Sequence, residues 1–179
     1  MRVIETERLV LRPYCEDYAQ GLYDYAKDPD VGPVAGWAPH KSPEESKMFI
    51  RELFMPVEAY AIFDKSNDRL IGTIALEYDK YRPESNSREI GYSLAKDMWG
   101  RGIMTEACEA LIKFAFEELG LDQIGICTGE HNKRSQGVIK KCGFTYEGTI
   151  RRAYKIYDGT CRDSLVYSLL KSEYENRIR

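Results

Sequence analysis

The sequence predicts an α/β fold in a single domain, with a mixed central sheet and helices on both of its faces. Segments in which apolar and polar side chains alternate are interspersed with segments that place apolar residues at helical spacing, as in α/β proteins. The length of 179 residues suits one domain, and no repeat, low-complexity tract or linker divides the chain. We therefore expect residues 1–179 to form one domain.

The first half of the chain predicts a strand, two helices and then two more strands. Ser42 can cap a helix, Pro43 suits its first position and Glu45 completes a capping box. The polar turn at 65–68 separates the two later strands. The expected elements are a strand at 2–12, a helix at 16–27, a helix from Ser42 to Pro56 with a buried stripe of Phe49, Ile50 and Leu53, and strands at 58–64 and 70–78.

The second half predicts a long amphipathic helix between strands, then a short helix and a hairpin. Gly120 ends the long helix, Asn132 is a candidate N-cap for the short one, and Gly143 lies just past its end. Asp158 and Gly159 are a strong hairpin turn signal. The expected elements are strands at 87–95 and 123–128, helices at 102–119 and 133–142, a strand at 144–151, and hairpin strands at 154–157 and 161–169.

Bulk composition argues against several functional classes. The formal net charge of −3 gives no general reason to expect nucleic-acid binding, which requires a basic surface. No apolar run approaches the length of a membrane span, and the first residues lead into a strand-like segment rather than a signal peptide. We therefore expect a cytoplasmic protein without a membrane partner.

The cysteines predict neither a disulfide framework nor a metal site. The five cysteines are odd in number and widely spaced, and the two histidines form no ligand pattern with them. We expect reduced, mostly buried thiols and no bound metal.

A strand followed by a glycine turn and a helix is the most informative feature of the chain. Residues 89–94 read as an apolar strand, and Gly100 and Gly102 precede the helix that contains Thr105. A helix start leaves backbone N–H groups without partners and carries partial positive charge, so it holds anions through the main chain. The pattern predicts a pyrophosphate cradle formed by the amides from Gly100 to Thr105.

Two further sequence blocks allow a more specific interpretation of the glycine turn. Residues 132–144 read Asn-Lys-Arg-Ser-Gln-Gly-Val-Ile-Lys-Lys-Cys-Gly-Phe, and residues 6–13 read Thr-Glu-Arg-Leu-Val-Leu-Arg-Pro. Together with the glycine turn, they resemble the GNAT superfamily of N-acetyltransferases, and the opening block resembles the RimJ/RimL-type branch that acts on ribosomal proteins. The turn departs from the usual family pattern at Trp99 and Met104.

The resemblance implies acetyl-CoA as the co-substrate and two parallel strands that splay apart to admit it. It assigns the backbone around Leu94 to the thioester carbonyl, Asn132 to the pantetheine arm, and Ser135 to protonation of the departing thiolate. Glu89 is the corresponding candidate for a base that accepts the amine proton through water. The expected cofactor-binding residues are Leu94, Gly100, Arg101, Gly102, Ile103, Met104, Thr105 and Asn132, and the expected catalytic residues are Ser135 and Glu89.

Several of these residues have a plain structural alternative. Asn132 and Ser135 also fit a helix cap, and Glu89 also fits a strand-edge carboxylate. Glu106 follows the cradle but is better explained as an acid that complements the helix dipole. Further candidates are Tyr146 and Tyr154 as reserve acids, and Trp37 and His40 as acceptor contacts or loop packing.

The predicted activity is transfer of acetyl from acetyl-CoA to a primary amine by direct attack on the thioester. The favoured acceptor is the N-terminal α-amine of a protein, and a ribosomal protein fits the branch; the alternative is a small-molecule amine such as a polyamine, amino-sugar or antibiotic. A different class, a non-catalytic acyl-CoA-binding regulatory module, also stays open. A nicotinamide-binding fingerprint is excluded because Thr105 occupies its third glycine position. The resemblance also allows a homodimer.

Overall fold

A mixed sheet of eight strands forms the centre of the computed structural model, which describes residues 2–178. The strand order is β1-β2-β3-β4-β5-β6-β8-β7. Neighbouring strands are antiparallel except for β5 and β6, which run parallel. The strands are β1 Ile4–Glu5, β2 Leu9–Pro13, β3 Glu58–Asp64, β4 Arg69–Tyr78, β5 Ser87–Leu94, β6 Gln123–Gly129, β7 Thr145–Lys155 and β8 Cys161–Leu170. The predicted α/β class with a mixed sheet is confirmed.

Helices cover both faces of this sheet. They are α1 Ala19–Ala26, α2 Gly32–Ala35, α3 Pro43–Phe49, α4 Ile103–Glu117, α5 Lys133–Lys141 and α6 Lys171–Ile178. Tyr25 of α1 hydrogen-bonds to Thr73 of β4, whereas Phe114 of α4 packs edge-on against Tyr60, the cross-strand partner of Ile74. Because Thr73 and Ile74 are consecutive strand residues, their side chains point to opposite faces. Helices α1 and α4 therefore bury opposite faces of the sheet.

The predicted helix caps form as expected. Ser42 accepts a hydrogen bond from the Glu45 amide at 3.2 Å, and Asn132 accepts one from the Ser135 amide at 3.1 Å. Helix α5 ends before Gly143, whose φ of +72° is the left-handed conformation that favours glycine. These local signals set the start of α3 and both ends of α5 within one residue of the predicted positions.

The structure differs from the predicted elements at both ends of the chain. The first predicted strand is two strands, because Thr6 forms a turn in which its Oγ1 accepts from the Leu9 amide at 3.0 Å. The two segments predicted before Asp158 form one irregular strand, β7, with Arg152 at a φ of +52°. Helices α2 and α6 were not predicted.

The buried stripe predicted for the second helix is wrong in part. After α3 the chain continues as a π-helical turn, Ile50–Phe54, in which the Met55 amide bonds to the Ile50 carbonyl at 2.9 Å. This wider turn removes the α-helical spacing, so Ile50 is fully buried while Leu53 is 53% exposed.

The two parallel strands separate halfway along their length. They pair from Ser87 opposite Gln123 to Ile90 opposite Ile126. Beyond those positions, residues 91–94 pair with β4 alone and residues 127–129 pair with β8 alone. The predicted splay is thus present, and it opens a gap in the middle of the sheet.

The loop around α2 packs against the β7–β8 hairpin. The Tyr157 amide donates to the Gly36 carbonyl at 3.0 Å, and Arg162 Nη1 donates to the Val34 carbonyl at 2.7 Å. Gly36 has a φ of +106°, and a Cβ at this position would clash with the Tyr154 ring.

We predict that Gly36→Ala lowers the melting temperature by at least about 4 °C, because left-handed strain of ~1–2 kcal/mol adds to the clash. Gly137→Ala is the matched control, since Gly137 lies in α5 with open space around it and alanine favours helix. Thermal unfolding of both variants measures the effect. An unchanged melting temperature for Gly36→Ala would show that this loop does not need its observed conformation.

Candidate active site

The glycine turn leads directly into α4 with its backbone amides open. Gly100 and Gly102 both have a φ of +76°, which side chains other than glycine rarely adopt. Gly102 is the N-cap, and no side chain in the described part of the chain caps the helix start. The first intrahelical bond is donated by the Glu106 amide to the Gly102 carbonyl at 3.1 Å. The amides of residues 103–105 are therefore the free donors of this helix.

A cavity of about 320 Å³ lies over this turn, between β5, α4 and α5. Three basic residues line this cavity together with the start of α4: Lys133, Arg134 and Lys141. Their charges add to the positive electrostatic potential at the N-terminus of α4. Seven of the predicted cofactor residues also line the cavity: Leu94, Gly100, Gly102, Ile103, Met104, Thr105 and Asn132. Arg101 is exposed and is not among the lining residues.

The two departures from the family pattern leave the backbone of the turn open. Met104 is 5% exposed and belongs to the hydrophobic core, and it also lines the cavity, where its amide is one of the free donors of the helix start. Trp99 Nε1 donates to the Leu94 carbonyl at 2.9 Å, and the Arg134 guanidinium lies 4.3 Å from the Trp99 ring centroid. Trp99 therefore connects the end of β5 to α5 across the cavity rim.

The Leu94 amide faces the gap. The Ala95 amide donates to the Ile71 carbonyl of β4 at 2.8 Å, and N–H directions alternate along extended chain. The N–H and C=O of Leu94 therefore point away from β4, and the carbonyl meets Trp99 on that side. This places an N–H donor at the inner end of the cavity.

Arg8 connects the N-terminal turn to the cradle. Glu106 accepts hydrogen bonds from Thr6 Oγ1 at 2.6 Å, the Arg8 amide at 2.9 Å and Arg8 Nε at 2.7 Å. Arg8 Nη1 donates to the Arg101 carbonyl at 3.0 Å. Burial alone would raise the pKa of Glu106. These hydrogen bonds and the positive charge of Arg8 outweigh the effect of burial, so the pKa of Glu106 is lowered. Glu106 is thus a structural carboxylate, as its position in the first helical turn predicts.

A second cavity, of about 560 Å³, opens on the other face of the splayed strands. Glu89 and Cys127 lie on its floor strands, and Tyr154 and Arg162 of the hairpin line one wall. The opposite wall is largely apolar and comprises Trp37, Phe49, Leu53, Phe54, Pro56 and Val57, with His40 beside them. Six residues line both cavities: Val34, Ala35, Tyr92, Ser93, Asn132 and Ser135. The two cavities meet at the gap.

Glu89 is an enclosed carboxylate in the second cavity. Its side chain is 14% exposed, Oε1 lies 3.8 Å from Lys80 Nζ, and Oε2 has no hydrogen-bond partner among the described residues. Burial raises the pKa of Glu89, Lys80 opposes this rise, and the negative charges of Asp79 and Glu77 add to it. A carboxylate with a raised pKa is a better proton acceptor than an exposed one.

Glu77 stands opposite Glu89 on β4 and was not anticipated from the sequence. A Cβ at Gly91 would lie 2.7 Å from Glu77 Oε1, so glycine makes room for this carboxylate. Although solvent reaches the side chain, the surrounding protein raises the pKa of Glu77, with Lys80 opposing. The second cavity therefore holds two neighbouring carboxylates of raised pKa.

Ser135 lies where the two cavities join and is 8% exposed. Asn132 holds its backbone through the cap, and the Tyr92 hydroxyl lies 2.9 Å from Ser135 Oγ. Tyr92 was missed at the sequence level, although the two-residue period of β5 places it on the same face as Leu94. Arg8 was also missed, because nothing in the sequence pairs it with the turn.

The remaining candidates lie in different places, and only Tyr146 is remote from both cavities. His40 is buried, its Nδ1 lies 2.7 Å from Ser46 Oγ, and burial lowers its pKa, so it is a packed histidine at the cavity wall. Tyr146 is 53% exposed and bonds to Thr149, away from both cavities. Tyr154 lines the second cavity under the Arg162 guanidinium, 4.5 Å from its ring centroid.

The cysteines are free thiols, but fewer are buried than expected. Cys108 and Cys142 are buried, Cys15 and Cys127 are partly exposed, and Cys161 is exposed. Within residues 2–178, no group of three or more His, Cys, Asp or Glu side chains is arranged to hold a metal ion. No helix in the same range has the length and apolarity needed to cross a membrane.

Comparison with known proteins identifies the family to which this chain is related. Residues 8–145 match the family described as an acetyltransferase (GNAT) domain. A Bacillus subtilis strain 168 protein named "Putative ribosomal N-acetyltransferase YdaF" is 40% identical over 119 residues, covering 66% of this chain and 62% of that protein. A Bacillus licheniformis protein named "Uncharacterized N-acetyltransferase p20" is 31% identical over 179 residues, covering 97% of this chain and 99% of that protein.

A solved structure with a bound co-substrate has the same fold. It is that of the Microcin C7 self immunity acetyltransferase MccE in complex with acetyl-CoA and AMP, and it superimposes with a TM-score of 0.78 at 22% identity. The superposition covers 92% of this chain and 93% of the other. The family match and the Bacillus licheniformis relative together show that the chain belongs to the GNAT family and is an acetyl-CoA-dependent N-acetyltransferase.

Proposed function

We propose that residues 1–179 act as one domain that acetylates the N-terminal α-amine of a protein, with a ribosomal protein as the favoured acceptor. The observation that carries this proposal is the position of Glu89, an enclosed carboxylate of raised pKa in the cavity that meets the cradle cavity at Ser135. The name of the YdaF relative supports a ribosomal acceptor.

The cradle cavity is the proposed site for acetyl-CoA, which supplies an activated acetyl group as a thioester. The amides of residues 103–105 and the backbone of Gly100 and Gly102 would bind its pyrophosphate. Lys133, Arg134 and Lys141 would attract its phosphates. Arg101 does not line this cavity, and its carbonyl accepts the hydrogen bond from Arg8.

Three groups of the chain would act on the reacting atoms. The Leu94 amide would donate to the thioester carbonyl oxygen, where negative charge develops. Ser135 would give its hydroxyl proton to the departing sulfur, and Asn132 would hold Ser135 in place. Glu89 would take the proton of the attacking amine through a water molecule.

An α-amine suits this base better than a lysine side chain does. Its pKa is about 7.7–8.0, against ~10.4 for lysine, so a sizeable fraction is already neutral near pH 7. A carboxylate with a raised pKa is then a strong enough base to accept the proton that the neutral amine loses as it attacks the thioester. The apolar wall formed by Trp37, Leu53 and their neighbours gives a peptide side chain a surface to pack on.

The acceptor is tested with isotopically labelled acetyl-CoA and four acceptors: a peptide with a free N-terminus, the same peptide N-terminally blocked but carrying lysine, spermidine, and an aminoglycoside. We expect the label on the α-amine of the first peptide by mass spectrometry. Labelling of the small amines alone would support the small-molecule alternative. Binding of CoA by calorimetry without any product would support the non-catalytic module.

We predict that Gly102→Val weakens acetyl-CoA binding about tenfold or more, because left-handed strain at this position distorts the open amides. The matched control is Gly120→Val, since Gly120 has a φ of +67° beyond the other end of α4 and open space around it. Both variants should lose stability in thermal unfolding. Only Gly102→Val should lose affinity in calorimetry, and equal affinities would reject the cradle assignment.

A pH profile tests Glu89. Since the base must be ionised, kcat/KM should rise with pH through a pKa above the ordinary glutamate value of 4.5. Glu89→Gln should lower kcat/KM by about 10²–10⁴-fold and remove this lower limb. Glu77→Gln is the control: it should keep the limb but move it to lower pH, because it removes a negative charge that raises the pKa of Glu89. A Glu89→Gln profile identical to that of the wild type would exclude this base.

A further inference from the structure

The hydroxyl of Tyr92 lies against the proposed acid of the reaction. Tyr92 Oη is 2.9 Å from Ser135 Oγ and 3.4 Å from the Ser135 carbonyl oxygen. The ring is partly buried against the core and reaches both cavities, so the pair lies at the junction of the cofactor and acceptor sides.

A serine hydroxyl alone is a weak acid, because the alkoxide that it leaves behind is poorly stabilised away from water. A hydrogen bond to an ionised oxygen is shorter and about twice as strong as one between neutral groups. A neighbouring O–H donor therefore favours the state in which serine has given up its proton. Tyr92 Oη is within hydrogen-bond distance of this oxygen.

The Tyr92 hydroxyl keeps its proton throughout the working pH range. Burial raises its pKa strongly above the ordinary tyrosine value, and the nearby Cys108 adds to this rise, while the bond to Ser135 opposes it. Since the tyrosine stays neutral, it remains a donor at every pH at which the enzyme works.

We propose that Tyr92 is a positioning residue that acts through Ser135, donating its O–H to Ser135 Oγ so that the serine proton is directed to the departing sulfur. This inference rests on the proposed role of Ser135. As the carbon–sulfur bond breaks, its electron pair stays on sulfur and the Ser135 proton moves there to form the thiol. The serine oxygen is left with the electron pair of its O–H bond, held by the Tyr92 hydrogen bond. It recovers a proton from solvent as Glu89 releases to solvent the proton that it took from the amine, so the cycle ends with both groups restored.

The backbone and the side chain of Ser135 are thereby fixed by different partners. Asn132 Oδ1 accepts from its amide at 3.1 Å, and Tyr92 approaches its hydroxyl from β5. Because Ser135 also lines both cavities, its hydroxyl is held beside the gap where they meet.

The test is a double-mutant cycle with Tyr92→Phe, Ser135→Ala and both together, measured as kcat and KM for acetyl-CoA with one fixed acceptor amine. Tyr92→Phe should lower kcat about tenfold or more, as expected for a lost hydrogen bond to a charged group, and leave KM within about twofold. The double variant should match Ser135→Ala, because tyrosine has no effect without the serine.

Tyr14→Phe is the matched control. Tyr14 is also a buried tyrosine, but its hydroxyl bonds to Thr73 at 2.6 Å, away from Ser135. Its effect on kcat should be small and should multiply with that of Ser135→Ala. Circular dichroism and calorimetry with acetyl-CoA establish that each variant is folded and binds.

The outcomes separate the two proposals. Wild-type turnover of Ser135→Ala would reject the serine as the acid, and with it the basis of this inference. An impaired Ser135→Ala beside a fully active Tyr92→Phe would overturn the inference alone. Independent, multiplicative losses would also overturn it, because Tyr92 would then act by a route that does not pass through Ser135.

Discussion

The parting of β5 from β6 beyond Ile90 and Ile126 is the constraint on which the rest of the site depends. Backbone groups in the middle of a sheet are normally paired, and leaving them without a partner costs free energy. Here the separation directs the Leu94 amide into a gap, and it brings Tyr92, Ser93 and Ser135 to the junction of two cavities. A ligand that bonds to this edge replaces the missing strand neighbour.

The cradle is formed by the main chain, and side chains hold it in place from outside. Gly100 and Gly102 give the turn its left-handed geometry, and α4 supplies free amides. Glu106 and Arg8 then fasten the turn to the first hairpin, with Arg8 reaching the Arg101 carbonyl. The opening sequence block of the chain thus stabilises the glycine turn, although it lies about 90 residues away in the sequence.

Signals that depend on neighbouring residues could be predicted, whereas long-range contacts could not. The caps at Ser42 and Asn132 and the strand at 58–64 follow from local hydrogen bonding and alternation, and the structure has them as expected. The exposure of Leu53 depends on a π-helical turn, which apolar spacing does not encode. The partner of Tyr92 lies 43 residues away on another element, so only the folded chain reveals it.

Donors that are main-chain amides depend on the backbone conformation rather than on particular side chains. Trp99 and Met104 illustrate this: one turns toward β5 and the other into the core, and neither removes a donor from the turn. Substitutions of side chains around the turn can therefore accumulate over evolutionary time without loss of these donors. Under the proposed function, selection for a new acceptor would act instead on the second cavity, where side chains such as Glu77, Tyr154 and Arg162 form the lining.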